Sequence, residues 1–160
     1  MNDQDLAQLA TILRRHADAA DDIGLILAAD LKASGYDATP ECCATFAWTG
    51  GDGVHFSLAD LGEKGTPVVM TVPMEFDTPN LVVGQDLREF LSLGLWTGYF
   101  TLEQLVYDRA DALANRDACD LGGPAHAALL DLCTSFDLTP WTDISGRLDW
   151  LQIEFSEALA

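Results

Sequence analysis

The sequence predicts an α+β fold, in which a mostly antiparallel sheet of about four to six strands packs against N- and C-terminal helices. Short apolar runs separated by turn-forming residues lie between positions 44 and 91. Helical spacing of apolar residues dominates the chain on both sides of them. No repeat and no long linker divides the 160 residues, so a single domain over residues 1–160 is expected.

The predicted sheet core, about residues 44–91, contains one strong hairpin signal. Two apolar runs, 44–48 and 54–58, flank the turn sequence Gly50-Gly51-Asp52-Gly53. Further strands are predicted at 67–72 and 81–83, after turn-rich spacers. A meander of neighbouring antiparallel strands is the expected arrangement.

Alternation along the hairpin predicts which side chains face the core. Phe46 and Trp48 fall on one face of the first strand, and Phe56 is expected to share that core face from the return strand. His55 falls on the more polar face. We therefore expect His55 to be a half-exposed sheet residue with no special task.

Helices are predicted on both sides of the sheet core. Residues 2–19 show helical spacing, and 21–32 is interpreted as a second helix that stops at Gly35. Asp86 is expected to begin a helix after the last strand. A C-terminal extension, about residues 101–160, is predicted to be helical, with Thr142 or Asp143 as the cap of the last helix.

The four cysteines are predicted to be structural thiols rather than ligands. They are Cys42, Cys43, Cys119 and Cys133, and no CxxC or Cys/His ligand spacing accompanies them. No metal site and no cofactor are expected. Catalytic residues are likewise not assigned, since no stretch spells a catalytic motif.

Charge is the most pronounced feature of the composition. Twenty-six acidic residues stand against eight Lys and Arg, which gives a formal net charge of −18. A surface of this charge repels phosphates, so a nucleic-acid ligand is disfavoured and a basic partner is favoured. The alternative is that the acidity serves solubility or function in high salt.

Membrane insertion and export are not expected. No uninterrupted apolar run approaches the ~20 residues that span a bilayer. The first ten residues, MNDQDLAQLA, carry acidic rather than basic residues before their apolar positions, unlike a signal peptide. A cytoplasmic location is therefore predicted.

The order of the motifs from Phe46 to Leu91 resembles a known family. A strand that begins Phe-Ala is followed by a glycine turn, an aromatic return strand, a Pro-Val strand and a Phe-Leu helix. In this sequence the five motifs are, in the same order, Phe46-Ala47, Gly50 to Gly53, His55-Phe56, Pro67-Val68, and Leu87 with Phe90-Leu91. This order is similar to that of the Smi1/Knr4 group of the SUKH superfamily and covers about 50 of the 160 residues.

The resemblance implies a protein without chemistry of its own. SUKH proteins are largely immunity proteins that bind a cognate bacterial toxin, often a nuclease, and others are cellular regulators. An acidic surface suits such a task, because a nuclease presents cations to phosphate. A regulatory or scaffold protein of the same fold remains the alternative, and a small hydrolase using His55 and Asp52 is a third.

The partner-binding surface is predicted in the connections of the meander. Alternate loops of a meander leave opposite ends of the sheet, which divides the candidates into two groups. The first group is favoured because an aromatic anchor lies between its carboxylates. It comprises Asp52, Glu75, Phe76 and Asp77, and the second comprises Asp60 and Glu63.

Overall fold

The predicted α+β fold is confirmed by a computed structural model that describes residues 3–116 and 121–159. Five strands form one sheet, in which each strand pairs antiparallel with its sequence neighbour. The strands are β1 (Ile26–Lys32), β2 (Cys43–Trp48), β3 (His55–Ala59), β4 (Val68–Thr71) and β5 (Asn80–Gly84). The expected meander thus holds, with one further strand at its start.

The helices of the described residues lie before and after the sheet, as expected. They are α1 (Asp3–Arg15), α2 (Ala17–Ile23), α3 (Leu87–Leu93), α4 (Gln104–Tyr107), α5 (Arg109–Asn115), α6 (Gly123–Phe136) and α7 (Ile144–Leu159). Short 3₁₀ turns occur at Gly62–Lys64 and Phe100–Glu103. A single hydrophobic core joins these elements.

The predicted helix over residues 21–32 is correct only for residues 21–23, which belong to α2, and is wrong beyond them. Gly24, with φ of 67°, ends α2 in the left-handed conformation, and its N–H donates to the carbonyl of Asp21 at 3.1 Å. A side chain at Gly24 would also collide with the backbone of Phe100. The chain then enters β1, whose apolar residues do not alternate and were therefore not recognised as a strand.

A second correction concerns the start of the C-terminal extension, which is expected to be helical from about residue 101. The structure divides this stretch at Asp108, where φ of −149° and ψ of 86° interrupt the helical backbone. The Asp108 carboxylate accepts the N–H of Asp111 at 3.0 Å and so caps α5. A residue that favours caps therefore separates two short helices.

Two predicted caps are confirmed. The carboxylate of Asp86 accepts the N–H of Glu89 at 2.8 Å and begins α3. Asp143 accepts the N–H of Gly146 at 2.9 Å and begins α7 in the same way. Both bonds satisfy a donor that the first turn of a helix would otherwise leave unpaired.

An aromatic cluster joins α3 to the sheet. The ring of Phe90 lies 5.8 Å from Phe46, 4.7 Å from Phe56 and 5.0 Å from Tyr99, centroid to centroid. Phe56, Phe90 and Tyr99 have no exposed surface. The hydroxyl of Tyr99 donates to the carbonyl of Leu91 at 2.9 Å, so its burial leaves no polar group unpaired.

Trp48 does not share the core face with Phe56. Thr45 pairs with Ser57 but Ala47 pairs with Phe56, so β2 carries one extra residue in a β-bulge. The bulge reverses the facing of the residues after it. Trp48 therefore lies opposite His55, with ring centroids 4.9 Å apart, and is only half-buried.

The two edges of the sheet are treated differently. Along β5, the side-chain amide of Gln152 in α7 accepts the Val82 N–H at 3.3 Å and donates to the Val82 carbonyl at 3.1 Å. The free hydrogen-bonding groups of Val82 are thereby paired. On the other edge, the register of β1 shifts between Leu27 and Lys32, and this irregularity disfavours pairing with another chain.

The facing of the two aromatic residues can be tested by truncation. Phe56→Ala is expected to lower the free energy of unfolding by about 3–5 kcal/mol, because a fully buried ring is lost. Trp48→Ala should lower it by less, since its indole is half-exposed. Urea unfolding measures both, with the exposed Phe76→Ala as control. Equal losses in the first two variants would contradict the bulged register.

Candidate partner-binding surface

The meander places four of the six predicted binding residues at one end of the sheet. The β2–β3 turn, which carries Asp52, and the β4–β5 loop, which carries Glu75, Phe76 and Asp77, both leave this end. The β3–β4 connection, with Asp60 and Glu63, leaves the other. The predicted division into two groups follows from this topology.

Asp52 projects from a tightly closed turn. It is exposed and has φ of 48°, between Gly50 at 90° and Gly53 at 74°. The N–H of Thr49 donates to the carbonyl of Val54 at 3.0 Å and closes the turn. Three positive φ angles within four residues explain why glycine occupies two of these positions.

The β4–β5 loop presents an exposed aromatic ring beside two carboxylates. The N–H of Asp77 donates to the Glu75 carboxylate at 3.1 Å, which orders the loop around the intervening residue. That residue, Phe76, is 86% exposed. Aromatic side chains are enriched among the residues that carry binding energy in interfaces, which makes Phe76 a candidate anchor.

The C-terminal extension contributes two residues to this end that sequence analysis did not identify. Burial raises the pKa of Tyr107, and the carboxylates of Glu103, Glu75 and Asp52 raise it further. The pKa of Glu103 is raised chiefly by burial and also by Asp52, against a lowering bond from Gln104. Tyr107 therefore lies within electrostatic range of both predicted acidic loops, and Glu103 within range of the Asp52 turn.

Phe100 completes this surface. Its ring packs against Gly51 in the β2–β3 turn, where an added Cβ would lie 3.2 Å from the ring. Phe100 and Tyr107 remain 45% and 46% exposed. We call this surface the acidic end, and it consists of Asp52, Glu75, Phe76, Asp77, Phe100, Glu103 and Tyr107.

The ion pairs identified among the described residues lie away from the acidic end. None of the ion pairs identified within residues 3–116 and 121–159 involves Asp52, Glu75 or Glu103. Those pairs connect helices instead, as in the contact of Arg147 with Glu89 at 2.7 Å. No ion pair identified in the described ranges therefore offsets the charge of these three carboxylates.

His55 is fully buried, contrary to the expected half-exposed position. It has no exposed surface, and its Nδ1 donates to the Gly53 carbonyl at 2.7 Å. Nε2 lies 2.8 Å from the Thr39 hydroxyl. Burial lowers the pKa of His55, an effect partly offset by the bond to Gly53. Both ring nitrogens are engaged, so the geometry offers no substrate access to His55.

The cysteines agree in part with their predicted structural role. Cys43 is buried, Cys42 and Cys133 are half-buried, and all three are free thiols, while Cys119 lies outside the described residues. Burial, with a smaller effect of Cys42, raises the pKa of Cys43 to about 12, which keeps it an unreactive thiol. No cluster suited to holding a metal ion occurs in the part of the chain that the structure describes.

Comparisons with known proteins give no relative for this chain. Neither protein-family models, nor curated proteins, nor solved structures yield a match. Within the described ranges, no helix has the length and apolar character needed to cross a membrane. The geometry of the acidic end is therefore the main guide to function.

The composition of the acidic end can be tested through the ionisation of Glu103. Asp52→Asn is expected to lower the pKa of Glu103, because one source of repulsion is removed. Carboxyl-detected NMR titration measures this change. Asp60→Asn, at the opposite end of the sheet, is the matched control and should leave Glu103 unchanged. Equal responses to both substitutions would show that Asp52 and Glu103 are not neighbours.

Proposed function

We propose that this protein is a non-enzymatic binding module whose acidic end engages a basic protein partner. The observation that carries the proposal is the convergence of carboxylates from two sheet loops and the C-terminal extension around exposed aromatic rings. Exposed rings can supply affinity once a partner covers them. Unpaired carboxylates supply steering and orientation.

The partner that fits best is a basic toxin domain, with a nuclease as the favoured class. A nuclease carries cations that hold phosphate, so a surface of opposite charge is drawn to its active site and can cover it. The resemblance to SUKH immunity proteins points the same way. We therefore propose an immunity protein that neutralises a cognate bacterial toxin in the cytoplasm.

The alternatives make different demands on the structure. A regulatory or scaffold protein of the same fold would use the same acidic end against a cellular partner, so the identity of the partner separates it from an immunity protein. A hydrolase using His55 and Asp52 is disfavoured, because His55 has no exposed surface and both of its ring nitrogens are bonded within the protein.

The immunity function predicts rescue of growth. Co-expression with the toxin encoded by a neighbouring gene is expected to restore growth of cells that the toxin arrests. The double variant Glu75→Lys with Asp77→Lys should protect less well, because it reverses charge at the acidic end. Asp60→Lys with Glu63→Lys is the matched control and should protect fully. The immunity assignment is wrong if no neighbouring gene encodes a toxin that this protein neutralises.

Binding kinetics should separate the roles of charge and aromatic contact. With that toxin domain as partner, charge reversal at Glu75 and Asp77 is expected to slow association about tenfold at low salt and to flatten its salt dependence. Phe76→Ala should mainly speed dissociation, by about tenfold, because an anchor is lost. Surface plasmon resonance at several salt concentrations measures both. If binding is unaffected by salt concentration and by all three substitutions, the acidic residues serve solubility rather than binding.

A further inference from the structure

One face of the sheet carries a row of buried polar side chains. Thr45, His55, Ser57 and Thr71 are each at most 1% exposed. Thr45 and Ser57 are bonded to each other at 3.0 Å, and Thr71 donates to the Asn80 side chain at 2.8 Å. A polar sheet face is normally left to water, so the segment that covers this one has a specific role.

Over His55 and Asn80 that covering segment is the β1–β2 connection, residues 33–42, which we call the strap. It crosses the polar face and is fixed at its middle, where the side chain of Asn80 donates to the Ala38 carbonyl at 2.8 Å. The ring of Tyr36 stacks on His55 with centroids 5.7 Å apart, and Thr39 bonds to the same imidazole. His55 is thus the main sheet residue beneath the strap.

The hydrogen bonds of the strap form a chain with one direction. A carbonyl can only accept, so His55 carries its proton on Nδ1 and, when neutral, accepts the Thr39 hydroxyl at Nε2. Thr39 in turn accepts from the hydroxyl of Ser34, which accepts the N–H of Tyr36 at 3.1 Å. Each group in the chain is satisfied with neutral imidazole.

The same imidazole also fixes the turn of the acidic end. Its Nδ1–H bond holds the carbonyl of Gly53, the residue after Asp52. Tyr36 packs its hydroxyl against Gly53 so closely that a side chain there would collide with it. The strap and His55 therefore constrain Gly53, whose carbonyl takes no part in the backbone bonds of Thr49 and Val54 that close the turn.

Protonation of His55 would add a charge that this site does not compensate. The hydroxyls of Thr39 and Ser34 can exchange their donor and acceptor roles, so no hydrogen bond need be lost. The imidazolium would nevertheless be fully desolvated. Uncharged groups surround the ring, namely Trp48 from β2, Thr71 from β4, and Tyr36 and Thr39 from the strap. The other ionisable groups of the strap and its flanking turns are Asp37, Glu41, Cys42, Cys43 and Asp52, and the lowered pKa of His55 has burial as its largest cause.

We infer that the strap is a proton-sensitive latch, which holds the Asp52 turn in place while His55 is neutral and opens more readily when His55 takes up a proton. The inference rests on the proposed function only in that the turn belongs to the acidic end. Opening returns the imidazole to water, where its ordinary affinity for protons is restored. Proton uptake and opening are therefore linked.

The sign of the linkage follows from the lowered pKa of buried His55. The open state binds a proton below the ordinary value of 6.5, whereas the closed state resists it. The closed strap is thus favoured above that pH and loses its advantage as the pH falls below it. Between about pH 7.5 and about pH 5.5, the opening equilibrium can rise by up to about tenfold.

Amide hydrogen exchange tests the latch without any partner. The strap is monitored at the N–H of Thr39, which donates to the Tyr36 carbonyl. The turn is monitored at the N–H of Val54, which donates to the Gly51 carbonyl. After correction for intrinsic exchange rates, exchange of both amides should become up to about tenfold faster as the pH falls from about 7.5 to about 5.5. Phe90, whose N–H is bonded within α3, is the internal control and should not change.

Two variants make the test decisive. His55→Gln cannot be protonated and should abolish the pH dependence at both amides. Thr39→Val, on the covering strap, removes the hydroxyl from His55 and should already raise exchange of both amides at about pH 7.5. The latch is overturned if wild type and His55→Gln share one pH profile, or if Thr39→Val opens the strap without affecting Val54. Since no partner is present, either outcome leaves the proposed binding function to its own tests.

Discussion

The sheet must be covered on both faces, and the rest of the structure depends on how differently the two faces are covered. On one face, Phe90 packs among the rings of Phe46, Phe56 and Tyr99. On the other, the strap covers His55, whose ring nitrogens need hydrogen bonds because water is excluded there. Within the described residues, no buried side-chain nitrogen or oxygen lacks a partner. The β2 bulge serves both coverings, because it keeps Phe46 with the apolar cluster while Trp48 joins His55.

Local patterns were sufficient to predict the elements whose signals are themselves local. The hairpin around Gly50–Gly53 and the cap at Asp86 rest on turn and cap chemistry within a few residues. The strand β1 could not be predicted in this way, because Ile26–Lys32 is a strand only by virtue of pairing with β2. The bulge likewise has no local signature. Trp48 was therefore misplaced by a strict alternation that the pairing interrupts.

The same distinction applies to the candidate site. That the Asp52 turn shares an end with Glu75 and Asp77 follows from meander topology alone. Glu103 and Tyr107 join them through the packing of the C-terminal extension, and their spacing of four residues is the one local signal in the sequence that fits two neighbouring side chains on a helical segment. The burial of His55 depends on the strap, a polar segment whose path over the sheet is set by tertiary contacts such as that of Ala38 with Asn80.

The ion pairs identified among the described residues are unevenly distributed, so they offset the excess negative charge in some parts of the surface and not in others. Cations that form ion pairs in the described residues lie on helices, where Arg88 holds Asp5 and Arg109 holds Asp149. Such pairs neutralise carboxylates on the helical side, and none of those identified in the described ranges involves Asp52, Glu75 or Glu103. Mutual repulsion there, which contributes to the raised pKa of Glu103, increases the free energy of the isolated protein. A cationic partner would relieve that repulsion on binding, whereas acidity serving solubility alone would not require carboxylates to converge around exposed rings.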